Sequence, residues 1–127
     1  MNVAAFAVIF VGAGLGACLR HALGVALNPL FPAVPLGTLA SNLVGALLAG
    51  AIAGWLLLRT DLPPAYRLFA ITGFLGGLTT FSSYSLEVVA LLEAGRTTLA
   101  LAAAGAHLLG SLGLAWLGGW LARSALA

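Results

Sequence analysis

The run Gly73-Phe74-Leu75-Gly76-Gly77-Leu78-Thr79-Thr80-Phe81-Ser82-Ser83-Tyr84-Ser85-Leu86-Glu87 sets three glycines and five serines and threonines inside an otherwise apolar segment. Glycine weakens a helix, and here it does so where the side chains are most polar, which predicts a break near mid-membrane. Irregular backbone survives in a bilayer only when it is buried in protein or lines a watery cavity. It then offers free carbonyls to cations and free N–H groups to anions. The competing reading is a kinked packing helix whose hydroxyls bond back to their own carbonyls. Phe81 and Tyr84, three apart, share a helix face with Ser85 close by. The positive edge of an aromatic ring can touch a dehydrated anion; the same spacing also serves plain packing.

Other polar residues within apolar runs are few. Asn42 has only Ser41 and Thr38 as polar neighbours in sequence; its amide either bonds another helix or faces an ion. Arg20 and Glu87 are charges within spans, which makes them functional candidates. Arg20 lies near a helix end, where it can snorkel or lend positive potential to an anion vestibule. Glu87 can accept bonds from hydroxyls in a polar track or carry a proton. His107 and Ser111, four apart, share a face that could extend such a track. Cys18, the single cysteine, reads as a buried small hydrophobe without a redox role. The two histidines lack ligand spacing and the acids do not pair, so an enzyme is not expected.

The elements that position these residues follow from composition. With 62% hydrophobic and 6% charged residues, against about a quarter charged in soluble domains, this chain of 127 residues belongs in a bilayer. A span takes about 20 apolar residues. Four such stretches occur, at 3–27, 36–58, 68–92 and 98–121, and together they form one transmembrane domain, 1–127. Prolines at 29, 32, 35, 63 and 64 and the turn Glu93-Ala94-Gly95-Arg96 punctuate them. The spanning elements must be helices, since a barrel would need more and shorter segments, so the expected class is all-α with a broken third helix. The N-terminal segment lacks a basic leader and reads as a retained helix rather than a cleaved signal. Gly12 and Gly16, Gly50 and Gly54, and Gly73 and Gly77 lie four apart, a spacing that lets helix backbones approach. All five basic residues are arginines and the net charge is only +2, which does not suggest nucleic acid as a partner.

These residues resemble the Fluc family of fluoride channels, also called CrcB, over nearly the whole chain. The carriers are Gly12-Ala13-Gly14-Leu15-Gly16 with Arg20, then Pro35-Leu36-Gly37-Thr38 with Asn42 and Gly45, then Gly73 through Ser82 with Glu87. The resemblance implies a dual-topology antiparallel homodimer in a bacterial inner membrane, conducting fluoride passively through two pores along the subunit interface. It further implies that Phe81 and Tyr84 present ring edges to the route and that Asn42 joins them. Ser82, Ser83 and Ser111 would supply hydroxyls, with Glu87 beside them and Arg20 at the vestibule. Backbone carbonyls of Gly76 and Thr79 from both subunits would hold a central sodium ion. Two residues depart from the family's common pattern: Tyr84 stands where many members have phenylalanine, and Ser83 where many have threonine. Fluoride is small and strongly hydrated, so its water must be replaced by close donors; hydroxyls, an amide and ring edges are such donors. A small proton-coupled drug exporter also uses four short helices, but its acid is expected in the first helix, where this chain has Arg20. A membrane assembly factor would leave the polar interruption without a use.

Charge placement bears on orientation. With four spans, Arg59, Arg67 and Arg123 fall on the side of the termini and Arg20 and Arg96 on the other. Basic residues in short loops set topology, and three against two is almost no bias. A tag on either terminus is therefore expected to be reached by a membrane-impermeant reagent in about half of the copies; labelling of all or none of them would refute mixed insertion.

Overall fold

The computed structural model describes residues 2–126. Helix α1 spans Val3–Leu27 and is capped by Asn2, whose Oδ1 accepts from Ala4 N at 3.0 Å. A short 3-10 turn, Asn28–Leu30, carries Pro29 and leads to α2, Leu36–Leu56. Helix α3 covers residues 64–78: an opening turn at Pro64–Arg67, a wider π-type stretch at Leu68–Leu75, and a last turn at Gly76–Leu78. Thr79 and Thr80 are extended, with φ/ψ of −85°/154° and −149°/124°. Helix α4 then runs Phe81–Glu93 and α5 Thr97–Leu126. Between them Gly95 takes φ 73°, a left-handed value that glycine adopts without strain. That conformation lets Gly95 N and Arg96 N bond back to Leu92 O and Leu91 O, closing the end of α4.

The helix bounds differ from the hydrophobic stretches at several ends. α2 stops at Leu56 because the chain tightens into i→i+3 bonds, Leu58 N to Trp55 O and Arg59 N to Leu56 O. α3 starts at Pro64, since proline suits a first turn whose N–H has no partner anyway. α5 continues to Leu126 because nothing after Leu121 breaks a helix, and Arg123 suits its C-terminal end. In the loop after α2, Arg59 Nε pairs with Asp61 Oδ1 at 3.2 Å, and this hydrogen bond holds the exposed Asp61 carboxyl below the usual carboxylate range.

Two glycine seams assemble the bundle. α1 lies against α3: a Cβ on Gly12 would stand 2.6 Å from Phe69 O, one on Gly73 2.8 Å from Ile9 O, and ones on Gly16 and Gly77 would overlap Phe74 O and Ala13 O. α2 lies along α5, its most extensive helix partner, with Gly50 against Ala115 O and Gly54 2.9 Å from Gly119 O by the same measure. Lipid supplies no hydrophobic drive between helices, so backbone approach and van der Waals packing must hold them together. The long apolar side chains point outward instead: Phe10 is 81% exposed and Trp116 67%. Cys18 also lies on the exposed surface of the chain rather than in its interior, because the buried face of α1 is the Gly12 and Gly16 face. Among the described residues, four helical stretches are long and apolar enough to cross a membrane, Val3–Leu30, Leu36–Leu56, Pro64–Glu93, which joins α3 and α4, and Thr97–Leu126.

The seam makes a paired prediction. Gly16→Leu forces side-chain atoms into the α3 backbone and should cost about 3 kcal/mol or more, lowering the unfolding midpoint in detergent titrations. Gly14→Leu, on the same helix with nothing within 4 Å of its Cβ position, should leave the midpoint unchanged.

Candidate ion site at the interruption between α3 and α4

Two extended residues in a helical span leave backbone groups without helical partners. Asn42 on α2 meets those of Thr80: its Oδ1 accepts from Thr80 N at 2.7 Å and its Nδ2 donates to Thr80 O at 2.9 Å. The remaining Nδ2 proton faces His107 Nδ1 on α5 at 3.0 Å. Both amide protons are thus engaged within the chain. Thr80 also caps α4, its Oγ1 accepting from Ser83 N at 3.1 Å and lying 3.3 Å from Ser82 Oγ.

The aromatic residues continue this cluster. His107 is buried, 4% exposed, with its ring 4.6 Å from that of Tyr84 at 35°. Tyr84 meets Phe81 edge-on, at 5.3 Å and 66°, and its hydroxyl donates to Ala104 O at 3.5 Å. A cavity of about 270 Å³ lies over the cluster, lined by Asn42, Thr79, Thr80, Phe81, Tyr84, His107 and Ser111 with three apolar residues. The N-terminal end of α4, with its partial positive charge, opens beside it. A neighbouring cleft shares Ala46, Thr79, Ser111 and Leu112 and adds Gly45 and Gly76, so the groove continues along this face of the chain.

The fold brings Asn42, Phe81, Tyr84, Ser111 and Thr79 to one cavity, whereas Arg20 and Glu87 lie elsewhere. Arg20 Nε donates to Gly77 O at 3.1 Å, meeting a carbonyl at the end of α3, and Arg20 lines a cleft with His21, Asn28 and Thr38. Glu87 Oε1 accepts from Thr38 Oγ1 at 2.5 Å, tying α4 to the start of α2. Ser82 is exposed and Ser83 half-buried, and neither lines the cavity. Thr79, Ser85 and Ser41 bond back to backbone carbonyls of Leu75, Phe81 and Thr38, as in the packing-helix reading. The carbonyls of Gly76 and Thr79 receive no hydrogen bond from the described residues.

Sequence reasoning passed over Thr80 and the contact between Asn42 and His107. A threonine followed by a helical run is a preferred N-cap, so the first had a local signal. The second joins residues 65 apart and had none.

An all-α chain with four bilayer-length apolar helices and a cavity where one span is interrupted is a multi-pass membrane protein. A family model described as CrcB-like protein, Camphor Resistance (CrcB), matches residues 7–119, and the chain belongs to that family. It is 60% identical over 119 residues to a protein of Burkholderia cenocepacia (strain HI2424) and to one of Burkholderia orbicola (strain MC0-3), each named fluoride-specific ion channel FluC. It is 57% identical to a protein of the same name from Burkholderia pseudomallei (strain 668). Each comparison covers 94% of this chain and 93% of the relative.

The clamp at Thr80 is expected to hold the interruption together. Asn42→Ala leaves the N–H and C=O of Thr80 without partners and should cost about 2 kcal/mol, read as a lower unfolding midpoint in detergent. Amide exchange at Thr80 should speed up more than exchange along α1.

Proposed function

We propose that this protein is a passive fluoride channel exporting fluoride across the bacterial cytoplasmic membrane, built from two antiparallel copies with two pores and a structural sodium ion on the dimer axis. The observation that carries this reading is the cavity at Thr79 and Thr80, where an aromatic pair, a hydroxyl and a helix N-terminus converge inside an apolar span. The names of relatives 60% identical over nearly the full length support fluoride as the ion.

Fluoride entering the groove exchanges water for the Ser111 hydroxyl, the N-terminal end of α4 and the ring edges of Phe81 and Tyr84. Asn42 orients this wall by fixing Thr80, the residue before Phe81. Ser82, Ser83 and Glu87 continue the route along α4, and the positive charge of Arg20 raises anion concentration at a vestibule. No step needs energy input, because a downhill ion requires only a low barrier.

A second copy would supply the far side of the pore. Phe81 is 77% exposed in one chain, and a pore lined by its edge needs an opposite side. Near-equal arginine counts on the two membrane faces support insertion in both directions, which an antiparallel pair uses. The residues fit a sodium ion as well. The Gly76 and Thr79 carbonyls receive no bond from the described residues, and neutral oxygens suit a hard cation; two per chain become four across a two-fold axis. Gly76 is exposed on the same groove. When bound, the ion would offset the negative C-terminal ends of the facing α3 helices.

Purified protein in liposomes is expected to release fluoride, and Phe81→Ala to slow release about tenfold, a loss of ~1.4 kcal/mol at the barrier, while the dimer stays assembled on a sizing column. No fluoride release, with proton-driven export of organic cations instead, would overturn the reading. Normal conduction by Phe81→Ala would displace the wall.

A further inference from the structure

The bond between Asn42 and His107 has a direction that can be derived. Thr80 N–H can only donate, so the Asn42 atom facing it is the oxygen; Thr80 O can only accept, so the nitrogen faces that. The Asn42 atom 3.0 Å from His107 Nδ1 is then Nδ2, a donor. Nδ1 must accept, which puts the ring proton on Nε2.

We propose that His107 is a positioning residue of the ion pathway: its unprotonated Nδ1 holds the Asn42 amide in the one orientation that clamps Thr80, and protonation of the ring releases the clamp and slows conduction. This rests on the channel reading above. A protonated Nδ1 is a donor and cannot receive Nδ2. Turning the amide over to satisfy it sets Nδ2 against Thr80 N–H and Oδ1 against Thr80 O, losing both bonds. Thr80 precedes Phe81 and caps α4, so its movement reaches the aromatic pair through one peptide bond.

Among the described residues, no charged side chain lies beside the ring in the cavity. His107 faces Asn42 from α2, Thr80 from the interruption, and Tyr84 from α4. Tyr84 is the one other titratable group lining the cavity, and no carboxylate or basic side chain lines it. Glu87 is engaged with Thr38 outside this cavity. His107 is 4% exposed and lines the cavity, so a charge on its ring would be met through the cavity and not by a side chain.

The test uses full-length wild type, His107→Asn and His107→Leu in liposomes, with fluoride efflux followed from about pH 7.5 to about pH 4.5, a window that runs well past the ordinary imidazole value, and leak from protein-free liposomes subtracted. Asparagine offers a non-titrating oxygen near the place of Nδ1; leucine offers none. Wild type should slow about fivefold on acidification and His107→Asn should start near the wild-type rate and stay flat. His107→Leu, still dimeric on a sizing column, should be about tenfold slower throughout. A wild-type pH profile in His107→Asn, or wild-type efflux by folded His107→Leu, overturns the proposal while leaving the channel reading intact. Nitrogen NMR of the His107 ring tests the tautomer apart from transport: a protonated Nε2 supports the proposal, and a protonated Nδ1 overturns it even if fluoride flows.

Discussion

The structure depends on one side-chain amide standing in for a turn of helix. Leaving the N–H and C=O of Thr80 unpaired within a span would cost about 2 kcal/mol, a standing bias against the interruption. Asn42 meets both from a neighbouring helix, and no other amide side chain in the chain lies close to this level. Serine or threonine could not do the same, because one hydroxyl cannot present a donor and an acceptor at amide spacing. The interruption is therefore a property of α2 and α4 together, and the packing of α2 decides whether it exists.

That packing is itself set by glycine. α2 is placed by its contact with α5 through Gly50, Gly54 and Gly118, and α3 by its contact with α1 through Gly12, Gly16, Gly73 and Gly77. Each seam brings backbone onto backbone, so little sliding is tolerated before main-chain atoms collide. The amide of Asn42 thus arrives at Thr80 with the precision that hydrogen bonds of 2.7 and 2.9 Å require. Arg20 adds a third constraint by holding Gly77 O, two residues before Thr79.

How much of this was legible in the sequence depends on the range of the interaction. The four spans, the glycine pairs and the aromatic spacing are local periodicities, and each could be read from neighbouring residues. Helix ends were less legible because hydropathy says nothing about capping: Pro64 opens α3 four residues before the apolar run begins, and α5 outlasts its own. Cys18 reads as interior because cysteine is usually buried, but in a bundle whose interior is lined by glycine the apolar residues go outside. The pairings that build the site, Asn42 with Thr80 and His107, Thr38 with Glu87, and Arg20 with Gly77, span separations of 38 to 65 residues. A single sequence supplies candidates for such pairs and no means of matching them.

The site also divides labour in a way that residue types alone would misassign. An asparagine amide in a membrane is an obvious anion donor, yet both its protons are engaged by Thr80 O and His107 Nδ1. In the proposed pathway the donors for an anion are groups that the clamp leaves free, the N-terminal end of α4 and the Ser111 hydroxyl, with the ring edges beside them. This separation has a physical advantage. A group that binds the ion strongly and also holds the backbone would be pulled from the backbone each time an ion passed. In the proposed pathway, keeping the clamp out of the ligand set would let the wall stay rigid while its ligands exchange, as passage of a strongly hydrated ion requires.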